Sequence, residues 1–382
     1  MIAGHSGSPF SGFIYTFHMP LFFFITGYLR YNGKVYSWRS FIAKKIKSVL
    51  VPYVIFWVVS MLIYNQIKCY MESHTLATIG MNELLGLLGG GHWLADYSNN
   101  FPLWYFQLYF IACICFEIVV RYFNKILQLI FLIVTAVVTI PFQNMVPGRP
   151  VFHINVLPAA LTFMMIGYGF KYLIDKDLHL YDKIKGNYAI ACVLIALGWK
   201  ISTINYGDIS NIVSYLYFFG ATCTIMGTYI FANLFINNKL FQNVGKNTIY
   251  ILGLHFPLLE VSVSMMVYFI ANIGITNTLV QNLLVILIDL FLCCGLAELY
   301  KIINGIANRN NIPMIDLKAD ELAIRAYFMN SLKENSVASV FPELIEEWDV
   351  EKNEGITPDA FSARNNKKVW WKCKNGHSWR SS

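Results

Sequence analysis

The chain has 382 residues, of which 56% are hydrophobic and 13% are charged, and it carries a formal net charge of +7. This composition is too apolar and too poor in charge for an ordinary soluble domain, so it predicts an all-α polytopic membrane protein. The positive charge is no clear signal for a nucleic-acid partner, because lysine and arginine collect in the cytoplasmic loops of membrane proteins. We expect membrane lipid as the surroundings and the plasma membrane as the location.

Nine segments are apolar over the roughly 20 residues that a membrane-spanning helix needs. Every second loop between them is basic, and the positive-inside rule places the loops that are poor in lysine and arginine outside the cell. The predicted spans are 10–31, 42–65, 104–121, 126–143, 154–174, 188–204, 212–236, 247–271 and 279–304. The predicted outer loops are 66–103, 144–153, 205–211 and 272–278.

The first predicted span, 10–31, runs from outside to inside on this orientation. The residues before it, MIAGHSGSP, lack the charged start of a signal peptide. We expect MIAG to be the end of an earlier spanning helix, most of which the chain lacks. With that helix the protein would have ten spans, both termini in the cytoplasm, and a cytoplasmic C-terminal tail.

Histidines interrupt two of the apolar segments in the same local pattern. FHMPLFFF carries His18 two residues before Pro20, and LHFPLLE carries His255 two residues before Pro257, with Glu260 beyond. Ionisable groups at membrane depth are costly and mark functional sites, and a proline opens space in a helix by removing a backbone hydrogen bond. The pattern predicts two walls of a shared cavity. The alternative is that each histidine only bonds to a neighbouring helix and holds the bundle together.

Other polar or aromatic groups are weaker candidates. His5, in GHSGSP, suits the mouth of a cavity but also an exposed loop. Trp104 stands at the outer start of a span, where it either stacks on a sugar or belongs to the aromatic belt of the membrane interface. Glu117, Asp289 and Glu298 are more typical of helix packing or of the interface.

A cationic run, RSFIAKKIK, follows the first span. It satisfies the inside topology signal, and it is also a candidate phosphate-binding surface through Arg39, Lys44, Lys45 and Lys47. The patterns GxxxxGK[ST], GxSxG and HExxH are absent, which argues against a P-loop ATPase, a nucleophile-elbow hydrolase and a zincin protease. The residues alone leave a histidine-bearing membrane enzyme or a transporter open.

The chain resembles the acyltransferase 3 family in three motifs, GHS…FIYTFHMPLFFFITGYL, LWYFQLYF and VGKNTIYILGLHFP. Within that family it is similar to fucose 4-O-acetylases and other cell-surface sugar O-acetyltransferases. The resemblance covers residues 1 to about 305. It implies transfer of an acetyl group from cytoplasmic acetyl-CoA to a hydroxyl group of a glycan in the cell envelope. A rival prediction is a membrane carrier or flippase for a glycan or lipid-linked substrate, which would also need a polar cavity among apolar helices.

The resemblance also implies roles for individual residues. It makes His5 the catalytic general base, since a neutral imidazole can take the proton of an attacking hydroxyl group. His18 and His255 would orient acceptor or donor, or polarise the carbonyl group. The positions of Trp104 and Glu260, rather than the resemblance, make them candidates to support substrate binding. The charge of the basic run described above likewise makes it a candidate to bind acetyl-CoA.

The composition turns polar after about residue 305. We predict a membrane acyltransferase domain over 1–305, a polar linker over 306–335 and a small soluble module over 336–382. The module is similar to treble-clef or zinc-ribbon modules that carry an EW…N…P…WWxCxxGHxW pattern, in which Cys373 and His377 would bind zinc. Two ligands do not close a tetrahedral shell. We therefore expect an incomplete zinc site in a module that the chain does not finish.

Overall fold

The computed structural model divides the chain into two compact units, Met1–Ile302 and Ile303–Ser382. Of residues 260–271 and 304–310 it describes the backbone only. The described residues are 1–31, 36–78, 80, 86–87, 100–148, 150–176, 186–204, 207–275, 277–310, 335–363 and 368–381.

The first unit is a bundle of apolar helices. Within the described residues, seven helices are long and apolar enough to cross a membrane. The two other predicted spans coincide with α7 and α10 below, so the prediction of an all-α polytopic membrane protein is confirmed. The helices are α1 (Ile2–His5), α2 (Ser11–Tyr31), α3 (Trp38–Ser73), α4 (Trp104–Tyr122), α5 (Lys125–Met145), α6 (Leu157–Lys176), α7 (Tyr188–Ile204), α8 (Leu216–Ala232), α9 (Lys239–Lys246), α10 (Thr248–Asn272) and α11 (Thr278–Asn310).

Helix α3 is longer than the predicted span of 42–65. It continues through the polar stretch NQIKCYMES, whose lysine, glutamine, glutamate and methionine favour a helix without any need for burial. Two stretches within it, Ile46–Leu50 and Ser60–Tyr64, are wound as wider π turns. The helix ends at His74, which takes the left-handed conformation with a φ of 53°.

The core of the first unit lies between α2, α4 and α6, where Phe23, Leu108 and Phe163 are fully buried. Helices α2 and α6 cross at two glycines that face each other's main chain. A Cβ atom at Gly27 would lie 2.7 Å from the carbonyl carbon of Met164, and one at Gly167 would lie 2.8 Å from that of Phe24. Only glycine permits so close an approach of two membrane helices.

Prolines inside two helices leave carbonyl groups that other helices satisfy. Pro257 lacks the N–H group that would bond to the carbonyl of Gly253, and Asn100 Nδ2 donates to that oxygen instead, at 2.8 Å. Pro141 likewise frees the carbonyl of Val137, which accepts a hydrogen bond of 2.8 Å from the hydroxyl group of Tyr215. Both helices therefore continue through their prolines without an unsatisfied acceptor at these sites.

The second unit contains a small module with its own core. Strands β1 (Val369–Lys372) and β2 (Ser378–Ser381) form an antiparallel hairpin, and α12 (Val337–Val340) precedes it. Asn353 accepts from the N–H group of Trp370 and donates to its carbonyl group, both at 2.8 Å, which gives β1 a substitute for a neighbouring strand. The core residues are Val337, Trp348, Phe361 and Val369.

Candidate functional site

A cavity of about 450 Å³ lies among the ends of several helices in the first unit. Four residues selected from three sequence motifs line it together: His5, His18, His255 and Trp104. A further histidine, His153, also lines it, so we call it the histidine cavity. The structure brings these predicted residues into one place, while their individual roles stay predictions.

His5 has a defined hydrogen-bond partner in this cavity. The hydroxyl group of Tyr15 lies 2.9 Å from Nδ1 of His5. The ring of His255 is 5.3 Å away between centroids. The sequence reasoning missed Tyr15, although it stands three residues before His18 and therefore on the same face of α2.

The ring nitrogens of His18 and His255 have defined hydrogen-bonding roles. Nδ1 of His18 lies 2.9 Å from the carbonyl oxygen of Ile14, and Nδ1 of His255 lies 2.7 Å from that of Ile251. A carbonyl oxygen only accepts, so each Nδ1 carries the hydrogen, and in the neutral imidazole each Nε2 then keeps a lone pair. The Nε2 atom of His255 is buried and has no hydrogen-bond partner within the described residues. Through Nδ1, each histidine bonds to its own helix and not to a neighbouring one.

Burial also affects His5, which lies outside the seven spanning helices. Removing the imidazole from water disfavours its charged form and lowers the pKa of His5 from its usual value. The ring is therefore neutral at pH 7, which is the form that a general base requires.

One wall of the histidine cavity is held in a strained backbone. Phe152 and His153 have φ angles of 58° and 50°, and both lie in the turn that leads into α6. Such conformations cost on the order of 1–3 kcal/mol each and persist where the surroundings impose them. Here the result is that His153 stacks on Trp104 with 4.9 Å between the ring centroids. Local sequence gave no signal for this histidine, because it falls in a predicted outer loop.

The rim of the histidine cavity carries a turn built on Asp208. Its Oδ1 atom accepts from the N–H group of Ser210 at 2.8 Å and from that of Asn211 at 3.1 Å. The amide of Gln143 secures the same loop, because it donates to the carbonyl of Ile209 and accepts from the N–H group of Ile212, both at 2.9 Å. These bonds hold the chain out of helical form, so α8 begins at residue 216 and not at the predicted 212.

A second cavity, of about 420 Å³, lies at the other end of α2 and α4. We call it the inner cavity. Lys44 and Lys45 from the predicted cationic run line it, and Arg30 joins them. Arg39 and Lys47 are exposed and are not among the described residues that line it.

Glu117 forms a charge network beside the inner cavity. Arg30 donates to it from Nε at 2.7 Å and from Nη2 at 2.9 Å, and Arg121 donates from Nε at 2.6 Å. The side chain of Glu117 is 3% exposed, so the carboxylate is paired on two sides in a largely dry position. This is the packing role that the sequence suggested for Glu117, made between α2 and α4.

The two cavities are separated along the membrane direction. Met19 lines the histidine cavity and Thr26 lines the inner cavity. They stand seven residues apart on α2, which corresponds to about 10 Å at a rise of 1.5 Å per residue. The buried rings of Phe23 and Tyr105, with centroids 5.3 Å apart, lie on this part of the bundle. The basic-loop pattern predicts the outer end for the histidine cavity and the cytoplasmic end for the inner cavity, and this orientation stays a prediction.

Three other predicted groups are not among the described residues that line either cavity. The side chain of Glu260 falls outside the described residues. Glu298 accepts hydrogen bonds of 3.0 Å from Asn247 and Lys301, as suits a group at the interface. Asp289 is fully buried on α11.

Cys373 and His377 lie at the turn between β1 and β2. The Sγ atom of Cys373 is 3.7 Å from Nδ1 of His377. Tetrahedral zinc with Zn–S of about 2.3 Å and Zn–N of about 2.0 Å would separate these two atoms by about 3.5 Å, so the pair fits as two of the four ligands. Within the described residues no group of three or more metal-binding side chains occurs. Cys373 and His377 thus supply two of the four ligands that a tetrahedral zinc site needs.

Residues 1–298 match a family described as an acyltransferase domain, acyltransferase 3. The chain belongs to the acyltransferase 3 family. This confirms the resemblance seen in the three sequence motifs, and it makes the first unit a membrane acyltransferase that requires an acyl donor and an acceptor. Residues 344–382 of this acyltransferase match a probable treble clef zinc finger domain, as the tail motif predicted. No curated protein and no solved structure matches the chain.

Proposed function

We propose that this acyltransferase moves an acetyl group from acetyl-CoA to a hydroxyl group of a cell-surface or envelope glycan, with His5 as general base. The observation that supports this most is that His5 and His18 from one motif and His255 from a distant motif share one cavity. That cavity belongs to the predicted outer end, where a glycan would arrive. We further propose that the protein lies in the plasma membrane with a cytoplasmic C-terminal tail.

In this proposal the acceptor hydroxyl group gives its proton to Nε2 of His5 as its oxygen attacks the thioester carbonyl carbon. The C–O bond forms, the C–S bond breaks, and the CoA sulfur leaves and receives the proton from the imidazolium. Nδ1 of His5 donates to the hydroxyl oxygen of Tyr15, which keeps Nε2 free to accept. His18 and His255, whose Nδ1 hydrogens are already committed, act through Nε2 as acceptors and orient the incoming hydroxyl group.

The donor would enter through the inner cavity. Lys44 and Lys45 offer ammonium groups to the phosphates of CoA at the predicted cytoplasmic end. Arg30 is already paired with Glu117, so it contributes to the shape of the cavity more than to free positive charge. The thioester would then have to cross the layer of Phe23 and Tyr105 to reach His5.

Membranes that contain the full chain provide the test. With acetyl-CoA labelled in its acetyl group, we expect alkali-labile label on envelope glycans, and none in membranes without the chain. Lys44→Gln should raise the KM for acetyl-CoA by up to about fivefold, since one exposed ion pair contributes up to about 1 kcal/mol. Lys176→Gln, the same change at the end of α6, should leave it unchanged. Glycan that crosses the membrane without gaining label would instead identify a carrier.

A further inference from the structure

The histidine cavity presents hydrogen-bond acceptors to its ligand. Nε2 of His18 and Nε2 of His255 keep lone pairs, because both Nδ1 hydrogens are donated to main-chain carbonyl groups. Asn155 adds a third acceptor. Its Nδ2 group donates to the carbonyls of Val146 and Gly148, both at 3.2 Å, and this fixes the orientation of the amide. Its Oδ1 atom is left buried, without a hydrogen-bond partner in the described part of the chain.

The charge of the cavity lining also favours a ligand that donates hydrogen bonds. Asp208 is the single carboxylate among its described lining residues, and no lysine or arginine is among them. Met1 also lines the cavity, and burial lowers the pKa of its terminal amino group to about 6, so this group adds little positive charge at pH 7. The turn on its rim uses Oδ1 of Asp208, so Oδ2 remains available as a further acceptor. Arg149, which follows Gly148, lies outside the described residues.

Such a lining selects for a ligand that donates hydrogen bonds. A buried acceptor without a partner costs about 1–3 kcal/mol, and a ligand hydroxyl or ammonium group that donates to it removes this cost. A carboxylate or phosphate group on the ligand brings acceptors only. Such an anionic group would also be repelled by the carboxylate of Asp208, because both carry negative charge. The stacked pair of Trp104 and His153 adds a flat wall against which a sugar ring can lie.

We propose that the histidine cavity is an acceptor subsite for a polyhydroxylated sugar without negative charge, neutral or amino-bearing. Asp208 and Asn155 bind the hydroxyl groups next to the one that is acetylated. This proposal rests on the proposed O-acetyl transfer and names the substrate class for it.

Three methyl glycosides provide the test: methyl glucoside, methyl glucuronide, which differs from it only at C6, and methyl glucosaminide, which differs from it only at C2. The full chain is reconstituted in liposomes with acetyl-CoA, and both CoA release and ester formation are followed. We expect kcat/KM for the glucoside and the glucosaminide to exceed that for the glucuronide by about 5- to 150-fold, the range that 1–3 kcal/mol gives.

Asp208→Asn tests the carboxylate without removing the turn. Asparagine keeps an Oδ1 acceptor for the N–H groups of Ser210 and Asn211, but it replaces Oδ2 by a donor. We expect a higher KM for the glucoside and a smaller preference over the glucuronide. Asp175→Asn is the matched control, because Asp175 pairs with Lys171 on α6 and does not line the cavity. Asp175→Asn should retain both the parent's KM for the glucoside and its preference for the glucoside over the glucuronide.

Each other outcome is decisive. Equal or better use of the glucuronide, or an unchanged preference in Asp208→Asn, overturns the inference. So does CoA release into water with transfer to none of the three glycosides, and in that case acyl-CoA turnover itself survives. Absence of CoA release with every acceptor overturns the proposed function and the subsite with it.

Discussion

The crossing of α2 and α6 yields the sharpest prediction about the fold. In Gly167→Ala the new Cβ atom would lie 2.8 Å from the carbonyl carbon of Phe24, closer than real Cβ contacts. A main-chain carbonyl group cannot turn aside as a side chain can, so the two helices must move apart. Overpacking of this kind costs about 1–3 kcal/mol. Each kcal/mol is worth roughly 2–4 °C in a domain of 150–250 residues and less in a larger one, so for this unit of Met1–Ile302 we expect the melting temperature to fall by up to about 10 °C.

Gly169→Ala is the control on the same helix, since a Cβ atom there would meet nothing within 4 Å. Alanine favours a helix over glycine by about 0.8–1.0 kcal/mol, so this variant should melt at the parent's temperature or above it. The assay is thermal unfolding of the detergent-solubilised full chain, followed by tryptophan fluorescence. Equal shifts in the two variants would refute the close packing of α2 against α6.

Three further predictions concern the two cavities. Tyr15→Phe should lower the rate of acetyl transfer by about 2- to 13-fold, the range that a hydrogen bond of 0.5–1.5 kcal/mol gives, with KM for acetyl-CoA unchanged in the same assay. Glu117→Gln leaves two partly buried arginines without a counter-charge and should destabilise the protein in thermal unfolding, by less than the roughly 3–5 kcal/mol that breaking a fully buried pair costs. Glu298→Gln, at a side chain that is 45% exposed, should change the melting temperature little. Because burial lowers the pKa of His5, the pH–rate profile should stay level as pH falls through about 6.5, the ordinary value for histidine, and decline only below it. An acid limb of the pH–rate profile centred at or above pH 6.5 would contradict the buried environment of His5.

Sequence reasoning located the spans well, because a run of about 20 apolar residues has few structural outcomes other than a membrane helix. It also led to the histidine cavity, since the repeated H-x-P pattern is rare in apolar segments and both copies line the same space. The functional roles of those histidines stay predictions.

The rest depended on contacts between distant parts of the chain. The start of α8 is delayed by the amide of Gln143, which bonds to Ile209 and Ile212 from more than 60 positions away. The stacking of His153 on Trp104 needs two residues with positive φ, and neither is a glycine that would have signalled the turn. No local pattern pairs Arg30 with Glu117, and only the fold brings the two side chains together across α2 and α4.

The central claim is that His5 removes the proton from the acceptor hydroxyl group. The most direct measurement is the rate of ester formation from labelled acetyl-CoA by the reconstituted full chain in His5→Asn, compared with the parent and with His74→Asn. His74 is the matched control, because it is exposed and lies at the end of α3, away from the cavity. We predict that His5→Asn lowers the rate by about 10²- to 10⁴-fold, the usual contribution of a general base, while His74→Asn retains it. Undiminished transfer by well-inserted His5→Asn protein would contradict the account.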